Sequence, residues 1–253
     1  MLYKVVFNKM RVTARTLFPV FWASLLVILS VGFIYASDAD FAYLIKKKGA
    51  PAKELIEKPT LYRETELNGL PCTASDFEFL LDRPRSSIAL AGKMHKSLDK
   101  YTIDSRKPGE LHIDDQGNLV GDMELVINRP GKRMYYITGY WKLVLGMKLE
   151  GRMALVVDYK EVADGNGRAL DAKARGYMMV DNSVAGEAFK VLAFMFPGKV
   201  DARINRFATA VEKVVVAVHD DPEGVCKRLE GAQHVPPEEA REFRARFGAR
   251  KAG

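Results

Sequence analysis

Along this chain the spacing of hydrophobic and polar positions changes several times, and each change marks a different kind of element. Leu17 to Ala36, LFPVFWASLLVILSVGFIYA, is twenty residues without a charge. A helix of that length rises ~30 Å, the thickness of a bilayer's hydrocarbon layer. From Leu98 to Val180 the period is two, which predicts strands at about 100–105, 110–114, 119–128, 133–143, 151–162 and 169–180. Residues suited to turns separate them, at 107–109, 115–118, 128–131 and 164–167. Met123, Leu125 and Ile127 are expected to share one face, as are Met153, Leu155, Val157 and Tyr159. Links this short predict an antiparallel meander.

Helical spacing flanks the strands. Ser75 to Glu78 reads as a capping box ahead of Phe77, Leu80 and Leu81, and Pro84 opens a second short helix. After the strands, Val184 to Phe196 reads as helical and ends in an almost unbroken apolar run, stopped by Pro197 and Gly198. The best amphipathic helix follows, about Lys199 to His219. Val200, Ile204, Phe207, Val211, Val214, Val215 and Val218 form its stripe. Pro222 starts a short helix. Pro237 starts a last one, with Phe243 and Phe247 apolar and Gly248 at its end.

Charge sets an orientation for the apolar segment. Residues 1–16 carry Lys4, Lys9, Arg11 and Arg15 and no acid, while Asp38 and Asp40 follow the run. The positive-inside rule places the N-terminus in the cytoplasm and the rest outside it, although Lys46 to Lys48 oppose that bias. A cleaved signal peptide is the rival reading. The run is longer than its usual ~7–15 apolar residues, and Asp38 spoils the small-residue cleavage pattern. The expected organisation is therefore a cytoplasmic segment 1–16, a single-pass signal anchor 17–36 and a tether 37–71 marked by Pro51, Pro59 and Pro71. A soluble α+β domain at 72–220 and short C-terminal helices with a tail at 221–253 complete it. Within the tether, Lys53 to Glu66 suits a short helix or an edge strand. The location this implies is an inner or plasma membrane, with a periplasmic or other extracytoplasmic domain.

The order of elements is two short helices, a meander and a long amphipathic helix able to cover the sheet. In that order the chain resembles a helix-grip domain, the fold of START-type lipid-binding proteins and polyketide cyclases. The resemblance implies a sheet-and-helix container for an apolar ligand.

Candidate chemistry is sparse. His95, His112, His219 and His234 stand in no metal-binding frame, so no metal and no cofactor are expected. Asp114 and Asp115 lead into turn residues. No GxSxG occurs, and the glycines at 165 and 167 belong to a hairpin rather than to a phosphate loop. The net charge of +7 is spread along the chain, which suits an anionic membrane surface and not nucleic acid. Cys72 and Cys226 leave two readings open, a disulfide or two separate thiols.

The aromatic and methionine load is the remaining signal. It reads either as core or as the lining of an apolar cavity. The candidate lining is Tyr136, Tyr140, Met153, Tyr177, Phe207 and Val211. The function expected is a membrane-anchored, non-catalytic domain that binds or transfers a membrane lipid or other apolar ligand. The alternative is an accessory subunit of a membrane complex, docking through 189–196. For an enzyme of cyclase or hydrolase kind, the residues to inspect are His95, Asp104, Tyr136 and Asp158.

Overall fold

The computed structural model describes residues 39–107, 109–116, 119–142, 148–164, 167–181, 197–232 and 234–249. The expected N-terminal segment 1–16, the anchor 17–36 and the apolar run 184–196 lie outside the described residues. Among the described residues no helix is long and apolar enough to cross a membrane. The chain divides into two compact units, Met1–Ala42 and Tyr43–Gly253. Of the first, only the opening turn of helix α1 (Ala39–Lys48) is described. The second carries all the elements that follow.

Strand pairing fixes the architecture. Among the described residues, strands β1 (Leu61–Leu70), β2 (Thr102–Lys107), β3 (Glu110–Asp114), β4 (Leu119–Arg129), β5 (Lys132–Lys142), β6 (Lys148–Asp164) and β7 (Gly167–Val180) form one sheet. Its order is β1-β7-β6-β5-β4-β3-β2, antiparallel throughout. The meander from β2 to β7 is the one that the two-residue period predicts. β1 is the added strand. Its sequence, LYRETELNGL, alternates charged residues with a few apolar ones, and it pairs only with β7. A half-exposed edge strand of that kind gives a weak hydrophobic signal. The segment expected as a tether thus holds helix α2 (Ala50–Glu57) and an edge strand.

Helices α3 (Ala74–Leu81) and α4 (Pro84–Met94) link β1 to β2. The cap of α3 lies earlier than the expected capping box. Thr73 accepts a hydrogen bond from the Asp76 amide at 3.2 Å. Glu78 is instead turned to the sheet, where it accepts from the Tyr159 hydroxyl at 2.8 Å. Helix α5 (Pro197–Asp220) is the long amphipathic helix. α6 (Pro222–Glu230) and α7 (Pro237–Phe247) follow. Cys72 and Cys226 are separate thiols.

The two-residue period sends side chains to both faces, and the helices divide between them. Ala210, Val214, Val215 and Val218 of α5 share one buried cluster with Val157 and Tyr159 of β6 and Leu170 and Ala172 of β7. Leu90 and Ala91 of α4 and Phe243 and Phe247 of α7 belong to the same cluster. On the opposite face, α2 buries Ala52, Leu55 and Ile56 near β6 and β7. There Met134, Ala154, Val156, Tyr177 and Met179 are buried as well.

A row of directly paired glycines, Gly121, Gly139 and Gly151, crosses β4, β5 and β6 on the α5 side. A Cβ on Gly139 would stand 2.7 Å from the Gly121 Cα, and one on Gly121 would stand 2.9 Å from the Thr138 carbonyl oxygen. Strands this close on one side are those of a sheet bending toward that side, a role strand glycines commonly serve.

The C-terminal helices are part of the core and not an appendage. Phe243 is fully buried, and its ring stands 5.0 Å from Phe79 and 5.6 Å from Phe247. Phe243→Ala should cost about 3–5 kcal/mol, the usual loss for a buried phenylalanine. Denaturant unfolding should show this as one shifted transition with unchanged slope. An early separate transition for α6 and α7 would overturn it.

Candidate functional site

The α5-facing side of the sheet is closed in two places. At the β6–β7 hairpin end, Val157, Tyr159, Leu170 and Ala172 are buried beneath α5. At the β2–β4 side, Ile113 and Leu119 pack against the cluster, and the Tyr101 ring meets Phe207 of α5 edge-on at 5.4 Å. Between these regions lie Leu111, Met123, Leu125, Ile137, Met153 and Met178. Register places all six on the α5 side. They are half-buried, and none belongs to the closed cluster.

The roof has the same division. Toward its C-terminal end, α5 buries Val214, Val215 and Val218. Nearer its N-terminus, Ile204, Phe207 and Ala208 are half-buried and Val211 is 37% exposed. The apolar stripe of α5 is therefore longer than the part the core uses. Arg63 of β1 and Asp201 of α5 form an ion pair at 2.8 Å that holds this half of the helix over the sheet edge. These half-buried apolar side chains of α5 and of the sheet bound the candidate site, called the cleft below.

A buried polar network stands on the same face of the sheet. Arg133 is 3% exposed and so must find partners for its guanidinium. It donates to the Tyr159 hydroxyl at 2.7 Å and to the Arg129 carbonyl at 2.8 Å, and it lies 3.4 Å from the Asp82 carboxylate. Tyr159 in turn donates to Glu78. Burial, then the Glu78 hydrogen bond, push the Tyr159 phenol above its usual range. It stays neutral and donating at any physiological pH. The network joins β5 and β6 to α3 and leaves Arg133 satisfied.

Next to it stands Tyr135, 8% exposed, with its neighbours Leu125 and Leu155 on the paired strands. Burial pushes its phenol up to about 12, with Arg133 opposing and Asp82 adding.

The six expected lining residues divide between the two faces. Met153 is on the α5 side of β6, Phe207 packs against Tyr101 at the edge of the closed cluster, and Val211 is on the exposed stretch of α5. Tyr136, Tyr140 and Tyr177 lie on the other face of the sheet. The Lys48 ammonium stands 5.2 Å from the Tyr136 ring centroid, and Lys148 stands 4.4 Å from that of Tyr140. Tyr177 packs 5.0 Å from the Tyr62 ring. Ile127 also changes sides. A bulge between Leu125 and Ile127 pairs it with Met134, away from the cleft. Tyr135, Ile137 and Leu111, which the register also sets on the α5 side, were not among the expected lining residues. Their signal was the alternation within β5 and β3, usable only once the pairing register is known.

The residues considered for catalysis are not gathered. His95 ends α4, and Asp104 sits opposite His112 on the edge pair β2–β3. His112 bonds Asp122 at 2.7 Å, and Asp158 is held by Arg175 at 2.7 Å and Lys132 at 3.1 Å. Among the described residues no cluster of His, Cys, Asp or Glu could hold a metal ion.

No known protein family matches the sequence, and no curated protein matches it. Solved structures do overlap with the fold. A conserved protein from Geobacillus kaustophilus is 16% identical, covering 61% of this chain and 93% of its own, with a TM-score of 0.42. The protein Ara h 8.0201 is 13% identical over 62% of this chain and 98% of its own, with a TM-score of 0.38. The di-domain ARO/CYC BexL is 13% identical over 69% of this chain and 59% of its own, with a TM-score of 0.37. The chain is an α+β protein, and its strand order and the place of α5 define that fold.

The opposite face offers a pH test. Glu124 of β4 is bound by Lys47 at 2.8 Å and by Lys48, and their hydrogen bonds hold its carboxyl below the usual glutamate range. A depressed folded value means that this contribution is complete above the ordinary glutamate pKa, ~4.3. It is lost as pH falls through the folded value. Lys47 is raised by the same contact, so the contribution also fades only above the ordinary lysine range. Glu124→Gln should speed amide exchange in the last turn of α1, which carries Lys47 and Lys48, about threefold at pH 7, as expected for a part-exposed pair. The wild type should approach the variant's rate at pH 3. Equal rates at pH 7 would overturn this.

Proposed function

We propose that this protein binds an apolar, lipid-like ligand in the cleft between α5 and the sheet, in a helix-grip arrangement and without catalysis. The single observation that carries the reading is the set of six half-buried apolar side chains beneath an α5 stripe that the core does not fill. Covering such surface is worth about 25 cal/mol per Å² removed from water. A ligand that fills the cleft gains that term from both walls. Methionine contributes three of the six positions, and its flexible thioether adapts to chains of varied shape.

The sequence of residues 17–36 supports a membrane setting, with the chain tied to the bilayer that would supply the ligand. The basic N-terminal flank supports a cytoplasmic N-terminus and an extracytoplasmic domain. Partners on this reading are membrane lipid and, where the domain serves a larger membrane assembly, that assembly's subunits.

Mass spectrometry of organic extracts from the purified full chain tests the reading. The expected result is one class of apolar molecule at near one per chain. Met153→Trp should reduce its recovery severalfold, because the larger ring occupies the cleft. An extract free of such molecules, with no uptake of added lipid from vesicles, would overturn ligand binding and favour an accessory subunit.

A further inference from the structure

Tyr135 is the polar side chain that register sets among the apolar residues of the cleft. It lies on β5 between Leu125 and Leu155, on the α5 side, and is 8% exposed. Its hydroxyl makes no hydrogen bond among the described residues. The hydroxyl oxygen is not one of the fully enclosed side-chain atoms that lack a partner, so it stays within reach of water or of a ligand group, and a tyrosine in an apolar wall is tolerated where its hydroxyl can reach a partner. The contrast with Tyr159, on the same face of the neighbouring strand β6, is direct. That hydroxyl accepts from Arg133 and donates to Glu78.

We propose that Tyr135 is the polar anchor of the cleft, its hydroxyl bonding one uncharged oxygen, hydroxyl or carbonyl, of an otherwise apolar ligand. The proposal rests on ligand binding at the cleft and adds the ligand's chemical class. Two features point to an uncharged group. The nearest cation, Arg133, is already held by Asp82, Tyr159 and the Arg129 carbonyl. The side chains around Tyr135 on the cleft wall, Leu125, Ile137, Met153 and Leu155, bring no charge. A carboxylate there would lose its hydration with no ion to replace it. The phenol is held neutral and can both donate and accept.

The test uses the full chain in amphipol, with amphipol alone titrated in parallel. Three probes share one ring system: 2-naphthol, 2-methylnaphthalene and 2-naphthoate. Tyr135→Phe should weaken 2-naphthol about fivefold, the worth of one neutral hydrogen bond, and leave 2-methylnaphthalene unchanged. Tyr136→Phe, on the opposite face, should change neither. The proposal is overturned if Tyr135→Phe leaves 2-naphthol binding intact, or if 2-naphthoate binds the wild type more tightly than 2-naphthol. Failure of all three probes to bind the wild type would instead remove the cleft reading, and the anchor with it.

Discussion

A strand has two faces, and a side chain that serves one cannot serve the other. In this protein both faces of the central strands are covered. α5 lies on one and α2 on the other, so neighbouring residues of β5 and β6 have different neighbours and different duties. Met134 and Tyr136 lie on the face opposite α5, where Lys48 of α1 stands over the Tyr136 ring, while Tyr135 and Ile137 face α5. Val156 belongs to a closed layer and Met153 to an open one. A shift of one residue in the β5–β6 register would exchange the two sets. Everything said of the cleft depends on that register.

The α5 face is closed in one part and only half-buried in another. The hairpin end of β6 and β7, with α3, α4, the second half of α5 and the C-terminal helices, forms a closed hydrophobic cluster. It needs no ligand to exclude water. The first half of α5 and the middle of β4 to β6 bury their apolar groups only in part. The Arg133–Tyr159–Glu78 network stands at the boundary. Buried polar networks of this kind rigidify when every member is satisfied. This one fixes β5 and β6 to α3 next to the cleft, so a ligand would meet a wall that is already set.

Much of this was legible in the sequence. The six strands of the meander, the amphipathic α5 and the buried pair Phe243 and Phe247 all follow from spacing, because each repeats a strong apolar pattern. β1 was read only as a choice between short helix and edge strand, since an edge strand with charge on alternate positions has little hydrophobic signal. Which strand residues face α5 was the least legible part. Met153 and Phe207 are found by periodicity within their own elements. Tyr136, Tyr140 and Tyr177 were grouped with them by residue type, and type carries no information about which face a strand residue occupies. The bulge at Val126, which turns Ile127 away from Met123 and Leu125, leaves no mark in the apolar pattern.

Three glycines stand in one row across the middle of the sheet. Gly121, Gly139 and Gly151 are paired side by side, and a Cβ on any of them would press on the backbone of the neighbouring strand. The row faces α5, the side on which the apolar wall is left partly open. Bending a sheet toward one face crowds the Cβ positions on that face, and their removal lets the bend occur without strain. Flattening would bring the sheet against a straight helix along its whole length, as it is at the hairpin end. The half-buried stretch between Met123 and Met178 lies on the same face as the row. On this argument the three glycines are the least replaceable residues of the cleft, although they offer a ligand nothing to hold.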